Sequence, residues 1–201
     1  MKEILIKKPK QKRSQAKFDA ILDALPATIK LYGFKKTTTA KIALEANVGM
    51  STVYDYFSCK EAIFVSYLDD RLEQAIDDVS YHAIHSTSGP QETMKAFIRA
   101  GLNFANQHSG LIRVALSEFP NDLDKINLVR SREKIKQIGI DFALSQNIPL
   151  PAENLSLMIY SLTNIIVSFQ IRSVIAPEKD LDDEAIVDEL TKIVSLYTEL
   201  V

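Results

Sequence analysis

Apolar residues recur at helical spacing along almost the whole chain, and no other feature constrains the fold as strongly. Phe18, Ile21, Leu22, Leu25 and Ile29 lie three or four apart, as residues on one face of an α-helix must. The pattern predicts a helix over residues 12 to about 32, ended by Gly33. Pro26 falls inside it, removes a backbone donor and crowds the carbonyl of Leu22, so a kink or a later start is expected there. Short helices are expected over 38–46 and 50–56, joined by Asn47-Val48-Gly49, and a longer one from 60 to the early eighties. More are expected at about 91–107, 110–118, 122–146, 152–175 and 183–199. Residues 85–92 (HSTSGPQE) read as the main linker, with Gly110, Pro120, 147–151 and 176–183 as the other breaks. No run alternates with the period of a strand, and no repeat of solenoid length occurs, so the expected fold is all-α.

A hydrophobic content of 46% with only 6 Gly and 7 Pro suits a chain that buries a globular core. No apolar run of roughly eighteen residues is evident, so no membrane span is expected. Ile4, Leu5 and Ile6 are too few for a signal-peptide core, so export is not expected either. Cys59 is the single cysteine, which excludes an internal disulfide and suits a reducing compartment. A soluble, cytoplasmic protein is the expectation. The net charge of −2 hides a division: residues 1–60 hold 12 Lys and Arg against 5 Asp and Glu, residues 61–201 hold 12 against 21. One end attracts a polyanion and the other repels it.

The stretch TTTAKIALEANVGMSTVYDYFSCKE, residues 37–61, lies in the basic part. Ile42, Ala43, Val48, Val53 and Phe57 form a small apolar set over two short helices, so that one packs across the other with Val48 at the turn. That arrangement is a helix-turn-helix, whose second helix can enter the major groove of DNA. With Val53 and Phe57 inward, Met50, Ser51, Thr52, Tyr54 and Asp55 are left on or near the outer surface. Thr37 and Thr38 stand where their hydroxyls can cap the first short helix, or where its free N–H groups can meet a phosphate.

These residues resemble the tetracycline-repressor (TetR) family of bacterial transcriptional regulators. The resemblance rests on AILDAL, YGFKKTTTAKIALEANV and STVYDYFSCKEAIF, within residues 18–64. It implies a basic arm over 1–11, a three-helix DNA-binding domain over 12–60, and a larger helical domain for effector binding and dimerisation over 61–201. It implies that Thr38, Thr52, Tyr54, Tyr56 and Lys60 contact the DNA backbone, and that Met50, Ser51 and Asp55 lie near base edges. The surface so defined, residues 35–60, takes in Lys35, Lys36 and Thr37. Asn47 stands where the family has glycine, and asparagine tolerates a left-handed backbone better than most residues. Gly49 replaces a better helix cap, and Asp55 replaces a residue that is often basic or aromatic. Lys7, Lys8, Lys10, Lys12 and Arg13 precede or open the first helix; such an arm lies along phosphates, reaches the minor groove, or is a solubilising tail. Cys59 occupies the place of a small residue.

In the C-terminal part, residues 152–175 are apolar nearly all round and call for cover on several faces. The resemblance makes this helix and the last one a homodimer interface, with Leu157, Ile165, Ile186, Leu190, Ile193 and Tyr197 as candidates. It also implies a pocket for a small, mainly apolar effector, with candidates Phe97, Phe104, His108, Phe119, Phe142, Tyr160 and Asn164. An ordinary core fits the same residues. His82 and His85 lack the further ligands of a zinc site, and no phosphate-binding glycine loop or nucleophile motif occurs. No enzyme, metal or cofactor is therefore expected. The implied protein is a repressor that binds a pseudo-palindromic double-stranded operator as a dimer and is released by its effector. A regulator of this fold without a ligand, and a helical interaction module with a basic end, stay open.

Overall fold

The structure, a computed structural model, describes residues 6–9, 11–84, 88–119, 128–145, 155–177 and 182–199. These residues form nine helices: α1 (Lys12–Lys36), α2 (Thr39–Glu45), α3 (Met50–Tyr56), α4 (Lys60–Ile84), α5 (Pro90–Gln107), α6 (Ser109–Glu118), α7 (Leu128–Ser145), α8 (Leu155–Ile175) and α9 (Asp183–Glu199). The fold is all-α, as the helical period of the sequence requires. They fall into two compact units, 6–71 and 72–199.

Several boundaries differ from expectation; Gly110, expected as a break, lies inside α6, and the chain turns at His108 instead. α1 continues with helical backbone angles through Pro26, and its only residue with non-helical angles is Gly33, at φ 71° and ψ 156°. Leu22 and Leu25 before Pro26 and Thr28 after it are all buried, so packing on both sides outweighs the one backbone bond that proline removes. Gly33 takes a left-handed backbone that side chains resist, which makes it, rather than Pro26, the point where the chain turns. A further difference is Pro90, which opens α5 instead of closing a linker, so residues 90–92 are already helical. Its fixed φ suits the first helical position, where a missing N–H leaves nothing unsatisfied. Residues 85–87, 122–127 and 147–154, which carry expected breaks and helix ends, lie outside the described residues.

The core of the first unit combines Phe18, Ile21, Leu22 and Leu25 of α1 with Ile42 of α2, Val53 of α3, Phe57, and Ala62 to Leu68 of α4. Burying an Ile, Leu or Phe contributes about 1.5–3 kcal/mol. In the second unit Ile98 and Leu102 of α5 meet Val187 and Leu190 of α9, and Met94, Ile165, Ile166, Ile186 and Ile193 pack against them. Leu190, expected at a subunit interface, is instead 0% exposed inside this core. Ile165, Ile186 and Ile193 face the same cluster, because α8 and α9 both use one stripe to build their own unit. Leu157 is 61% exposed, and the side chain of Tyr197 lies outside the described residues.

Within α8, Ser156–Ile175 is long and apolar enough to cross a bilayer by length and composition alone. It packs against α5, α6, α7 and α9, while Leu157, Tyr160 and Phe169 stay exposed. Gln170 within it reaches the carbonyl of Ile98 at 3.5 Å.

Candidate nucleic-acid interface

The turn between α2 and α3 sets the site. Ala46 ends α2, Asn47 follows at φ 51°, and Val48 comes next. The Val48 N–H donates to the Ala43 carbonyl at 3.0 Å, and the Asn47 N–H to the Leu44 carbonyl at 3.1 Å. This pair of bonds is the Schellman motif, which satisfies two carbonyls that a helix end leaves open. α3 then begins at Gly49, which offers no side-chain cap. Its direction is held from within by Val53 and Phe57, both fully buried, and Phe57 stacks on Phe18 with ring centroids 4.8 Å apart.

What α3 turns outward is Met50, Ser51, Tyr54 and Asp55, all exposed, with Thr52 and Tyr56 half-buried at the edges. The Tyr54 hydroxyl lies 3.2 Å from the Thr39 hydroxyl of α2, so the two short helices share a polar contact on the outer face. Tyr56 packs edge-on against Phe18 at 5.7 Å. Thr38 caps α2 by accepting the Lys41 N–H at 3.3 Å. Lys35 and Lys36 are exposed in the last turn of α1.

Thr37 stands apart from this surface. It is 1% exposed, its hydroxyl donates to the Gly33 carbonyl at 2.9 Å, and its N–H caps the end of α1. Its hydroxyl therefore faces the interior and stabilises the turn after α1, leaving the outer position to Thr38.

Lys60 carries a contact that sequence reasoning missed. Its ammonium donates to the carbonyls of Phe34 at 2.8 Å and Lys35 at 3.3 Å, and lies 4.5 Å from the centre of the Phe34 ring. Lys41 does the same from α2, donating to the Lys36 carbonyl at 2.8 Å over the Tyr32 ring. Two cations thus close the negative end of α1 and tie it to α2 and α4. The available signal was Lys60 at the first position of α4, where a positive charge opposes that helix's own dipole unless another element holds it. Thr39, inside the expected stretch 35–60 but not singled out there, gave no sequence signal that distinguished it from its two neighbours.

In the second unit the candidate pocket residues do not share one setting. Phe97, Phe104 and His108 are half-buried, with the Phe104 and His108 rings 4.6 Å apart. Phe119 is buried, Tyr160 is exposed, and Asn164 donates to the Tyr160 carbonyl at 2.7 Å. The side chain of Phe142 lies outside the described residues.

The described residues thus form an all-α chain of two units, the first carrying a helix-turn-helix with an outward polar face. Residues 21–67 match the family described as bacterial regulatory proteins, tetR family. Among solved structures, the fatty acid degradation regulator FadR from Bacillus halodurans is similar over 93% of this chain and 96% of its own, with a TM-score of 0.68 at 18% identity. A TetR-family transcriptional regulator from Streptomyces coelicolor is similar over 94% and 99%, with a TM-score of 0.66 at 19% identity. FadR from Bacillus subtilis, in complex with stearoyl-CoA, is similar over 88% and 97%, with a TM-score of 0.64 at 18% identity. No curated protein matches the chain in sequence.

Proposed function

We propose that the chain is a repressor that binds pseudo-palindromic double-stranded DNA as a homodimer and is released by a small, mainly apolar effector. The observation that carries the DNA clause is the outer face of α3. Ser51 and Asp55, one helical turn apart, are exposed on a helix whose other face is fixed by Val53 and Phe57. In this reading Ser51, Asp55 and Met50 meet base edges, while Thr38, Thr52, Tyr54, Tyr56, Lys35 and Lys36 meet phosphates. Lys60 acts chiefly by holding α1, which presents Lys35 and Lys36. The effector clause is supported by the half-buried Phe97, Phe104 and His108 and by the stearoyl-CoA complex of a protein of this fold. Long-chain acyl thioesters are the first effector class to test, on fold analogy. An effector releases DNA only by binding the released state more tightly than the bound one.

One experiment tests both clauses. A random duplex pool is passed over the purified protein at about 150 mM salt, and the retained DNA is sequenced. An enriched inverted repeat is expected, and stearoyl-CoA should release it while free CoA should not. Ser51→Ala and Asp55→Asn should change the bases preferred. Retention without enrichment would favour a basic interaction module, and indifference to acyl-CoA would remove the effector class.

A further inference from the structure

The segment before α1 is fastened to the recognition helix. Ile6 forms an antiparallel bridge with Phe57, and the Lys7 N–H donates to the Tyr56 carbonyl at 2.9 Å. Both partners lie at the C-terminal end of α3. Ile6 is half-buried and Phe57 fully buried, so this bridge sits at the edge of the domain's core. Lys7, at that attachment, and Lys8, just beyond it, are exposed. From Ile6 to Phe18 the sequence holds six Lys and Arg and no Asp or Glu, so nothing within the segment neutralises it.

A tail that served only solubility would need no fixed register against the domain. Here the register is set by the same two residues that end α3, so the lysines keep their place relative to the face that carries Ser51 and Asp55. Extended backbone suits this use, since successive side chains fan to both sides while the main chain stays anchored. We infer that this arm is a second DNA-contacting element, which lays Lys7 and Lys8 on the phosphate backbone beside the groove that α3 enters. The inference rests on the DNA-binding reading above and adds to it the contact made by the arm. Phosphate contacts carry no base information of their own, so the arm raises affinity and leaves sequence choice to α3.

The full chain is titrated by fluorescence anisotropy against its selected repeat and a scrambled duplex, over a series of salt concentrations. Two variants are compared with it: Lys7→Ala with Lys8→Ala, and Ile6→Ser, which keeps every charge. Removing two phosphate contacts should lower the slope of log K against log salt by about 2 per protomer and weaken both duplexes by similar factors. Ile6→Ser should weaken binding several-fold although its net charge is the parent's, with circular dichroism showing an unchanged fold. If Ile6→Ser binds like the parent, the arm is not held in register and the inference fails. Parental affinity and slope in the lysine variant would remove the arm from the interface, and an altered base preference would overturn the phosphate assignment. If the parent retains no duplex at all, the DNA-binding reading itself fails, which is a separate result.

Discussion

Asn47 holds a backbone angle of φ 51° at the turn between α2 and α3, where its neighbours' N–H groups close the end of α2. Left-handed geometry costs an L-residue roughly 1–2 kcal/mol, less for asparagine and nothing for glycine. Asn47→Gly should therefore melt within about 0.5 kcal/mol of the parent, whereas Asn47→Val should lose about 1–2 kcal/mol or more. Urea unfolding followed by circular dichroism measures both, and equal stability of the two variants would show that the turn does not impose this angle. This position was legible in the sequence because few residue types accept such a backbone. Thr37 and Thr38 were not, since identical neighbours gave no sign of which hydroxyl turns inward. Gly33 decided it: its left-handed angle aims the chain so that Thr37 reaches back to the Gly33 carbonyl. Lys60 was only half legible, because a lysine beside a DNA-binding helix suggests a phosphate, while its carbonyl partners lie 25 and 26 residues earlier.

At the scale of elements, α5 and α9 run side by side and are laced by charge. Arg99 donates twice to Glu184, each bond 2.7 Å, Lys95 pairs with Asp188 at 2.9 Å, and Asn106 donates to Asp183 at 2.9 Å. Hydrogen bonding from Arg99 holds the Glu184 carboxyl below its usual range, and hydrogen bonding from Lys95 does the same for Asp188. Lys95 is raised in turn by Asp188. A depressed carboxylate contributes stability that is present above its unfolded pKa, about 4, and is lost as pH falls through the lower folded value. A raised lysine contributes below its unfolded pKa, about 10.4, and its share is lost as pH rises through the folded value. The second unit should therefore keep these contributions between about pH 5 and 10 and lose them on either side. Thermal melts at pH 3, 4 and 7, in low and high salt, check this; Glu184→Gln with Asp188→Asn should flatten the acid limb. An acid limb identical to the parent's would show that other carboxylates set it. The pairing itself was not legible, because helical period gives each helix its apolar stripe but not which helix it meets 85 residues away.

For the whole molecule, the question is what α8 does with the faces its neighbours leave open. One stripe of α8, including Ile165 and Ile166, packs on the core of its own unit, whereas Leu157, Tyr160 and Phe169 are exposed, as is Leu196 on α9. A helix apolar on nearly every side could not reveal from sequence which stripe is internal, and this is why Leu190 belongs to the core and Leu157 does not. On the proposed reading, a second copy of the chain is the occupant that binding an inverted repeat calls for. One chain carries one recognition helix, and two half-sites about 34–36 Å apart need two. Leu157→Glu with Tyr160→Glu should then give a monomer by light scattering, with the stability of each unit retained because both positions are exposed. Its affinity for the inverted repeat should fall by about 10²-fold or more, as linked binding is lost, while its affinity for a single half-site stays near the parent's. Leu190→Ala separates this effect from damage to the protomer: it should lower stability by about 2–5 kcal/mol by opening a cavity in the core. A double variant that remained dimeric would refute this face as the interface. A monomeric variant that still bound the full repeat at parental strength would show instead that dimerisation and DNA binding are independent.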